Sequence, residues 1–256
     1  MSRAWRVFRY WLTLYRRTWR GTIVISIANP VLFLLGIGVG LGHLVNQGHS
    51  SALGGLSYSA FFAPGLLAAS AMQTGFIEGG GRVAAAAGWV GAYRSAAATP
   101  LEPDEILAGH LMFILFRLIT SSGAFVAVMA VFGVASGWWV LATLPAAILT
   151  GLAFAAPIAA WAVGQRSLAK IQTVFRFVLM PMYMFSGTFF ALHQLPRAIQ
   201  LIASAFPLAQ GVALCRSLSL GTASLMEVVA RTAYLLAVIV TGIAVARVTY
   251  RRRLHP

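Results

Sequence analysis

The chain has 256 residues; 59% are apolar or aromatic, only 9% are charged, and the formal charge is +14. Soluble proteins carry roughly 25% charged residues, so this composition excludes an ordinary soluble enzyme and a disordered chain, and fits a bilayer as solvent. The lone cysteine, Cys215, excludes an intrachain disulfide framework and a cysteine-rich metal site.

Residues 3–20 read RAWRVFRYWLTLYRRTWR. At about 100° per residue, Trp5, Phe8, Leu12, Tyr15 and Trp19 fall on one arc, with the arginines beside and opposite it. Such a helix lies in the headgroup layer, aromatic face down. It serves as a membrane anchor that orients the first span, or as a lever that touches a cytoplasmic partner or gates lipid access.

A membrane helix needs about 20 mostly apolar residues. Six stretches meet that need: 22–42, 57–80, 106–133, 139–163, 172–191 and 227–248. The first is too long for a signal-peptide core and reads as a permanent span. Gly36, Gly38, Gly40 and Gly42 in it form overlapping G-x-x-x-G patterns, which allow close helix packing within the chain or between two copies. Gly79-Gly80-Gly81 should end the second span.

Basic residues set the orientation. Six arginines precede the first span. Arg82 and Arg94 follow the second, Arg166, Lys170 and Arg176 flank the start of the fifth, and Arg247, Arg251, Arg252 and Arg253 end the chain. Only Arg197 and Arg216 fall on the other side, so both termini are expected in the cytoplasm. Juxtamembrane arginines also account for the charge without nucleic acid. No repeat or linker divides the chain, and residues 1–256 read as one domain.

Several chemistries lack their residues. The one lysine, Lys170, is followed by Ile171, so there is no G-x-x-x-x-G-K-[ST] phosphate loop. His43, His49, His110, His193 and His255 have no zinc-site spacing and read as solvated or interfacial. The sixth span offers no histidine to Ser186 for nucleophilic catalysis. Glu102, Asp104 and Glu105 cluster at a helix start, where acids are stabilised by the backbone dipole; a capping role is favoured over a metal site. No catalytic or metal-binding residue is assigned.

Charges inside spans mark function by default. Arg117 lies eleven residues into the third span and Glu78 near the end of the second. They are expected to pair across helices; otherwise Arg117 snorkels or meets backbone carbonyls. Arg231, four residues after Glu227, should make a local pair with it.

A resemblance joins these features. TPLEPDEILAG at 99–109, SYSAFFAPGLLAASAMQTGFIE at 57–78, and Ser186-Gly187, Leu195-Pro196, Pro207-Leu208 and Arg216 in that order resemble the ABC-2 type permeases, as does the Asn29–Gly40 pattern. The similarity is greatest to the lipooligosaccharide-exporter and daunorubicin-resistance branch. It implies an all-α integral membrane protein of the bacterial inner membrane. Six transmembrane helices would follow an N-terminal amphipathic helix at 1–21. A cytoplasmic coupling region at 82–105 and re-entrant outer helices at 192–226 would complete it.

The resemblance further implies a transport subunit that is not itself an enzyme. ATP and Mg would bind a separate ABC nucleotide-binding subunit, in two copies, alongside a second permease copy or a similar chain. Coupling contacts would come from Trp89, Tyr93, Arg94, Thr99, Pro100, Leu101 and Glu102, unless Trp89 and Tyr93 are interfacial anchors. Phe177, Met180, Pro181, Met184, Phe185, Ser186, Gly187, Phe189 and Pro207 would line the path or gate, unless the aromatics face lipid. An apolar path favours an amphiphilic cargo: a drug, lipid or glycolipid. Other readings are a membrane-embedded enzyme and an ion-coupled secondary transporter of lipid-like substrates; the sparse intramembrane acids weaken both.

Overall fold

The computed structural model describes residues 3–36, 58–134 and 139–254. Among them the chain is helical, without strands. Four helices are long and apolar enough to cross a membrane: Tyr58–Ala87, Pro103–Val131, Trp139–Ala162 and Leu225–Leu254. They coincide with the second, third, fourth and sixth expected spans.

Helix α1 (Arg3–Phe33) runs through the amphipathic stretch and into the first expected span without a break. Residues 37–42 of that span lie outside the described residues, as do Gly38, Gly40 and Gly42. The face of α1 that is buried also differs from expectation. Val7, Trp11 and Tyr15, four residues apart, are buried, while Trp5 and Trp19 stay exposed. The cause is α5 (Pro103–Val131), on which this stripe packs. Trp11 stacks on Phe113 with ring centroids 5.9 Å apart, and Tyr15 meets Phe116 edge-on at 5.9 Å. Gly109 permits the approach, since a Cβ there would lie 2.6 Å from the Ala4 carbonyl.

Helix α2 (Tyr58–Phe76) continues through a π-helical turn, Ile77–Arg82, into α3 (Val83–Ala87). The expected stop at the three glycines does not occur: the wider turn keeps the backbone hydrogen-bonded across them. The short α4 (Ala92–Ala97) follows, starting from Gly91, whose φ of +69° suits glycine.

Helix α6 (Trp139–Ala162) is the central pillar, touching α2, α5, α10 and α11. Its buried residues are mostly alanine, and small side chains allow close helix approach.

The fifth expected span, 172–191, is shorter than expected. Helix α7 (Leu168–Val174), a π-helical turn (Phe175–Leu179) and α8 (Met180–Phe185) end in a turn at Ser186, where Gly187 has φ +81°. That conformation cannot continue a helix, so the apolar run outlasts the helix. Beyond it, α9 (Arg197–Ser204) and α10 (Pro207–Ser219) meet at a bend of 85°. Pro207 suits the first turn of α10, where its missing N–H costs nothing. Helix α11 (Leu225–Leu254) closes the fold and leaves most of its apolar surface uncovered.

Candidate functional site

The candidate site is the segment between α3 and α5, with the polar groups beneath it. Tyr93 on α4 is buried, at 2% exposure. Its hydroxyl lies 2.7 Å from His110 Nδ1, and His110 Nε2 lies 3.2 Å from the Glu78 carbonyl. A carbonyl only accepts, so Nε2 donates to it. In the neutral ring this leaves Nδ1 to accept from Tyr93. Burial and the neighbouring Tyr250 hold the Tyr93 phenol well above its ordinary range, so it remains a donor. Tyr250 on α11 in turn donates to the Tyr93 oxygen at 3.4 Å.

The Glu78 carboxylate continues the chain of contacts. It pairs with Arg82, four residues on, and with Arg117 Nε at 3.1 Å. Arg117 Nη1 donates to the Tyr15 hydroxyl at 3.0 Å, and its guanidinium lies 4.8 Å from that ring's centroid. One connected set of contacts, running through the Glu78 main-chain carbonyl, thus joins α11, α4, α5, the π-helical turn and α1. Glu78 Oε2 meets Arg82 as an ion pair and has no hydrogen bond of its own.

Glu78 and Arg117 therefore stand in contact, together with an Arg82 that the sequence reading did not include. His110, expected to be solvated or interfacial, is buried at 1% exposure. The available signal was spacing: His110 precedes Arg117 by seven residues, two helical turns on one face.

The expected coupling residues divide into two groups. Trp89 and Arg94 are exposed, as is Val90. Tyr93 points inward, so it fastens α4 to the bundle and is not an exposed grip. Thr99 donates to the Ala96 carbonyl at 2.6 Å, and the Pro100 carbonyl accepts from Arg3 Nη1 at 3.0 Å. Leu101 is half-buried against the core. Glu102 caps α5 in a reciprocal box with Glu105, and Asp104 takes both nitrogens of the Arg251 fork at 3.0 and 2.5 Å. Capping thus accounts for Glu102 and Glu105, and an ion pair with Arg251 for Asp104. Among the described residues no three metal-ligating side chains come together. The Glu227–Arg231 pair stands at 3.8 Å.

The expected path residues also separate. Phe177, Met180, Pro181, Met184 and Phe185 are exposed along α7–α8. Ser186 and Gly187 are buried in the turn, Phe189 packs on Phe62 and Tyr183, and Pro207 is half-buried. A small hollow beside α8, lined by Met72, Gln73, Phe175, Leu179, Met180 and Tyr183, includes Met180 of these residues. The sequence placed Arg216 on the outer side and in the resemblance, but gave it no contact. It donates to the Phe61 carbonyl at 3.0 Å and the Gly187 carbonyl at 2.8 Å, and lies 3.7 Å from the Phe61 ring centroid. This guanidinium holds the turn after α8 against α2.

Arg216→Gln is expected to loosen that turn, because charge-assisted hydrogen bonds contribute about 1.5–3 kcal/mol each. With Thr188→Cys in a Cys215→Ala background, maleimide labelling should speed up roughly tenfold. An unchanged rate would mean that Arg216 does not hold the turn.

Four long apolar helices, with a short segment docked between the first two of them, describe an integral membrane protein. Residues 4–220 match the profile of the ABC-2 type transporter family, and the chain belongs to it. It is similar to "Nodulation protein J" of Rhizobium leguminosarum bv. viciae, 32% identical over 95% of both chains. The protein of that name in Sinorhizobium fredii (strain NBRC 101917 / NGR234) is 33% identical over 80% of this chain and 79% of its own. That of Rhizobium meliloti (strain 1021) is 30% identical over 96% and 94%. No solved structure matches the chain significantly.

Proposed function

We propose that this chain is the permease subunit of an ABC exporter that moves an amphiphilic cargo, with energy from a separate ATPase. The observation that carries the reading is the docking of α4. Its buried Tyr93 contacts α5 and α11, so a push on the outward residues Trp89, Val90 and Arg94 is passed to the long helices. The chain's lack of a phosphate-binding loop requires the fuel to be bound elsewhere.

ATP and Mg would act in two copies of that partner. Their closure would shift the population of two arrangements of the long helices. A second permease copy, or a similar chain, would cover the exposed apolar face of α7–α8 and complete the path. Both termini would lie on the cytoplasmic side of the bacterial inner membrane. The cargo class, a polar group on an apolar body, follows from that face and from the resemblance to lipooligosaccharide and drug exporters. An ion-coupled mechanism is disfavoured because Glu78 is committed to two arginines.

The test is co-purification of the tagged chain with an ABC ATPase subunit from its own cells, then ATP hydrolysis by the complex in lipid discs. Hydrolysis should rise several-fold over the ATPase alone, and Trp89→Ala should reduce that rise. Cargo movement by vesicles holding this chain alone, without nucleotide, would overturn the proposal.

A further inference from the structure

Beside α4, three arginines from three separate parts of the chain surround one hollow of about 100 Å³. Arg94 comes from α4, Arg166 from the turn after α6, and Arg253 from the last turn of α11. The floor of the hollow is apolar and closed, since Ala87, Val163 and Leu254 are buried. The turn after α6 joins the three parts. A Cβ on Gly164 would lie 3.5 Å from Arg253 Nε, and one on Gly88, just past α3, 3.7 Å from the Gln165 carbonyl.

Charge decides what the hollow takes. Arg94, Arg166 and Arg253 are exposed and make no ion pair among the described residues. The five acidic side chains of the chain are committed elsewhere. Glu78, Asp104 and Glu227 pair with other arginines, and Glu102 and Glu105 form the cap of α5. Three like charges around one hollow repel each other, and an anion from outside relieves that repulsion. A guanidinium takes a carboxylate in two parallel hydrogen bonds. The closed floor leaves no slot for an acyl chain, so a lipid would bring its headgroup alone. An acidic side chain of a docked protein needs no greater depth. Through Arg94 the hollow also continues the outward surface of Trp89 and Val90.

We propose that this hollow receives Asp or Glu side chains of the ATPase subunit, which thereby grips the ends of α6 and α11 as well as α4. The inference rests on the ATPase reading above and adds Arg166 and Arg253 to its contact. A push then enters the bundle at two points: through Tyr93, and directly at the ends of α6 and α11, which pack on each other.

The full-length chain is placed in discs of phosphatidylcholine alone, and binding of the co-purifying ATPase subunit is titrated at low and high salt. Arg166→Glu and Arg253→Glu should each weaken binding about tenfold, the worth of one charge-assisted hydrogen bond, and make it less sensitive to salt. Arg252→Glu, the same change of charge outside the lining, should weaken it less than about twofold, because water and salt screen exposed charges. A direct readout uses the single lysine of the chain. In a Lys170→Arg background, Arg253→Lys supplies one side-chain amine, which a carbodiimide should join to an Asp or Glu of the ATPase, located by mass spectrometry. If the ATPase binds the unaltered chain and both glutamate variants equally, the inference falls and the ATPase reading stands. If it does not bind the unaltered chain, both fall. Weakening that appears only after phosphatidylglycerol is added to the discs would assign the arginines to lipid and also overturn the inference.

Discussion

Glu78→Gln is expected to destabilise the protein by about 3–5 kcal/mol, the usual cost of leaving a buried charge without its partner. Arg117 is 4% exposed and has Glu78 as its carboxylate. Its other polar contact, the Tyr15 hydroxyl, carries no charge. Arg82 differs: its side chain is 27% exposed and can turn outward, as long basic side chains do near a helix end. The loss should therefore concentrate on Arg117 and be largely reversed in the double variant Glu78→Gln/Arg117→Gln, because removing both members of a buried pair is often close to neutral. Charge reversal of the pair should recover less, since an arginine at position 78 would stand one turn from Arg82. Thermal unfolding in detergent checks the series. If Glu78→Gln unfolds at the temperature of the unaltered protein, the ion pair does not support Arg117.

The parts of this fold that were legible in the sequence are those where one physical demand acts alone. Long apolar runs exist because the bilayer core must be crossed, and four of them appear as continuous helices. Glu102 and Glu105 have capping-box spacing, and they cap. Glu78 and Arg117 stood out as charges in apolar surroundings. Legibility failed where two demands compete. The arginines before residue 21 interrupt the apolar count but not the helix, since a helical backbone tolerates charge wherever the side chains reach water; α1 is therefore one rod. The run through Ser186 and Gly187 stays apolar while a positive φ ends the helix there. Tyr93 and His110 have ring types common at membrane interfaces. Only the partner across the gap shows that each satisfies the other in the interior. Close packing was expected at Gly36 to Gly42, and the closest glycine contacts among the described residues lie elsewhere.

Those contacts, where α2 crosses α6, support the second large effect. Gly75 faces the Gly151 carbonyl so closely that a Cβ there would overlap it; at Gly79 a Cβ would lie 2.6 Å from the Ala155 carbonyl. Gly75 and Gly79 are one turn apart, as are Gly151 and Ala155, so two small-residue faces meet backbone to backbone. A side chain placed here meets atoms that no rotamer change can move aside, and the helices must separate. Gly75→Ala is expected to cost about 1–3 kcal/mol, as overpacking generally does, and Gly75→Leu more. Because α6 also holds α5, α10 and α11, the separation should reach the whole bundle. Gly123→Ala on α5 is the matched control: a Cβ there meets nothing within 4 Å, and exchanging glycine for alanine in a helix can gain up to about 1 kcal/mol. Unfolding temperature, and the fraction of protein eluting as one symmetric peak in detergent, should fall from Gly123→Ala through Gly75→Ala to Gly75→Leu. If Gly75→Leu matched the unaltered protein in both, α2 and α6 would not cross at Gly75.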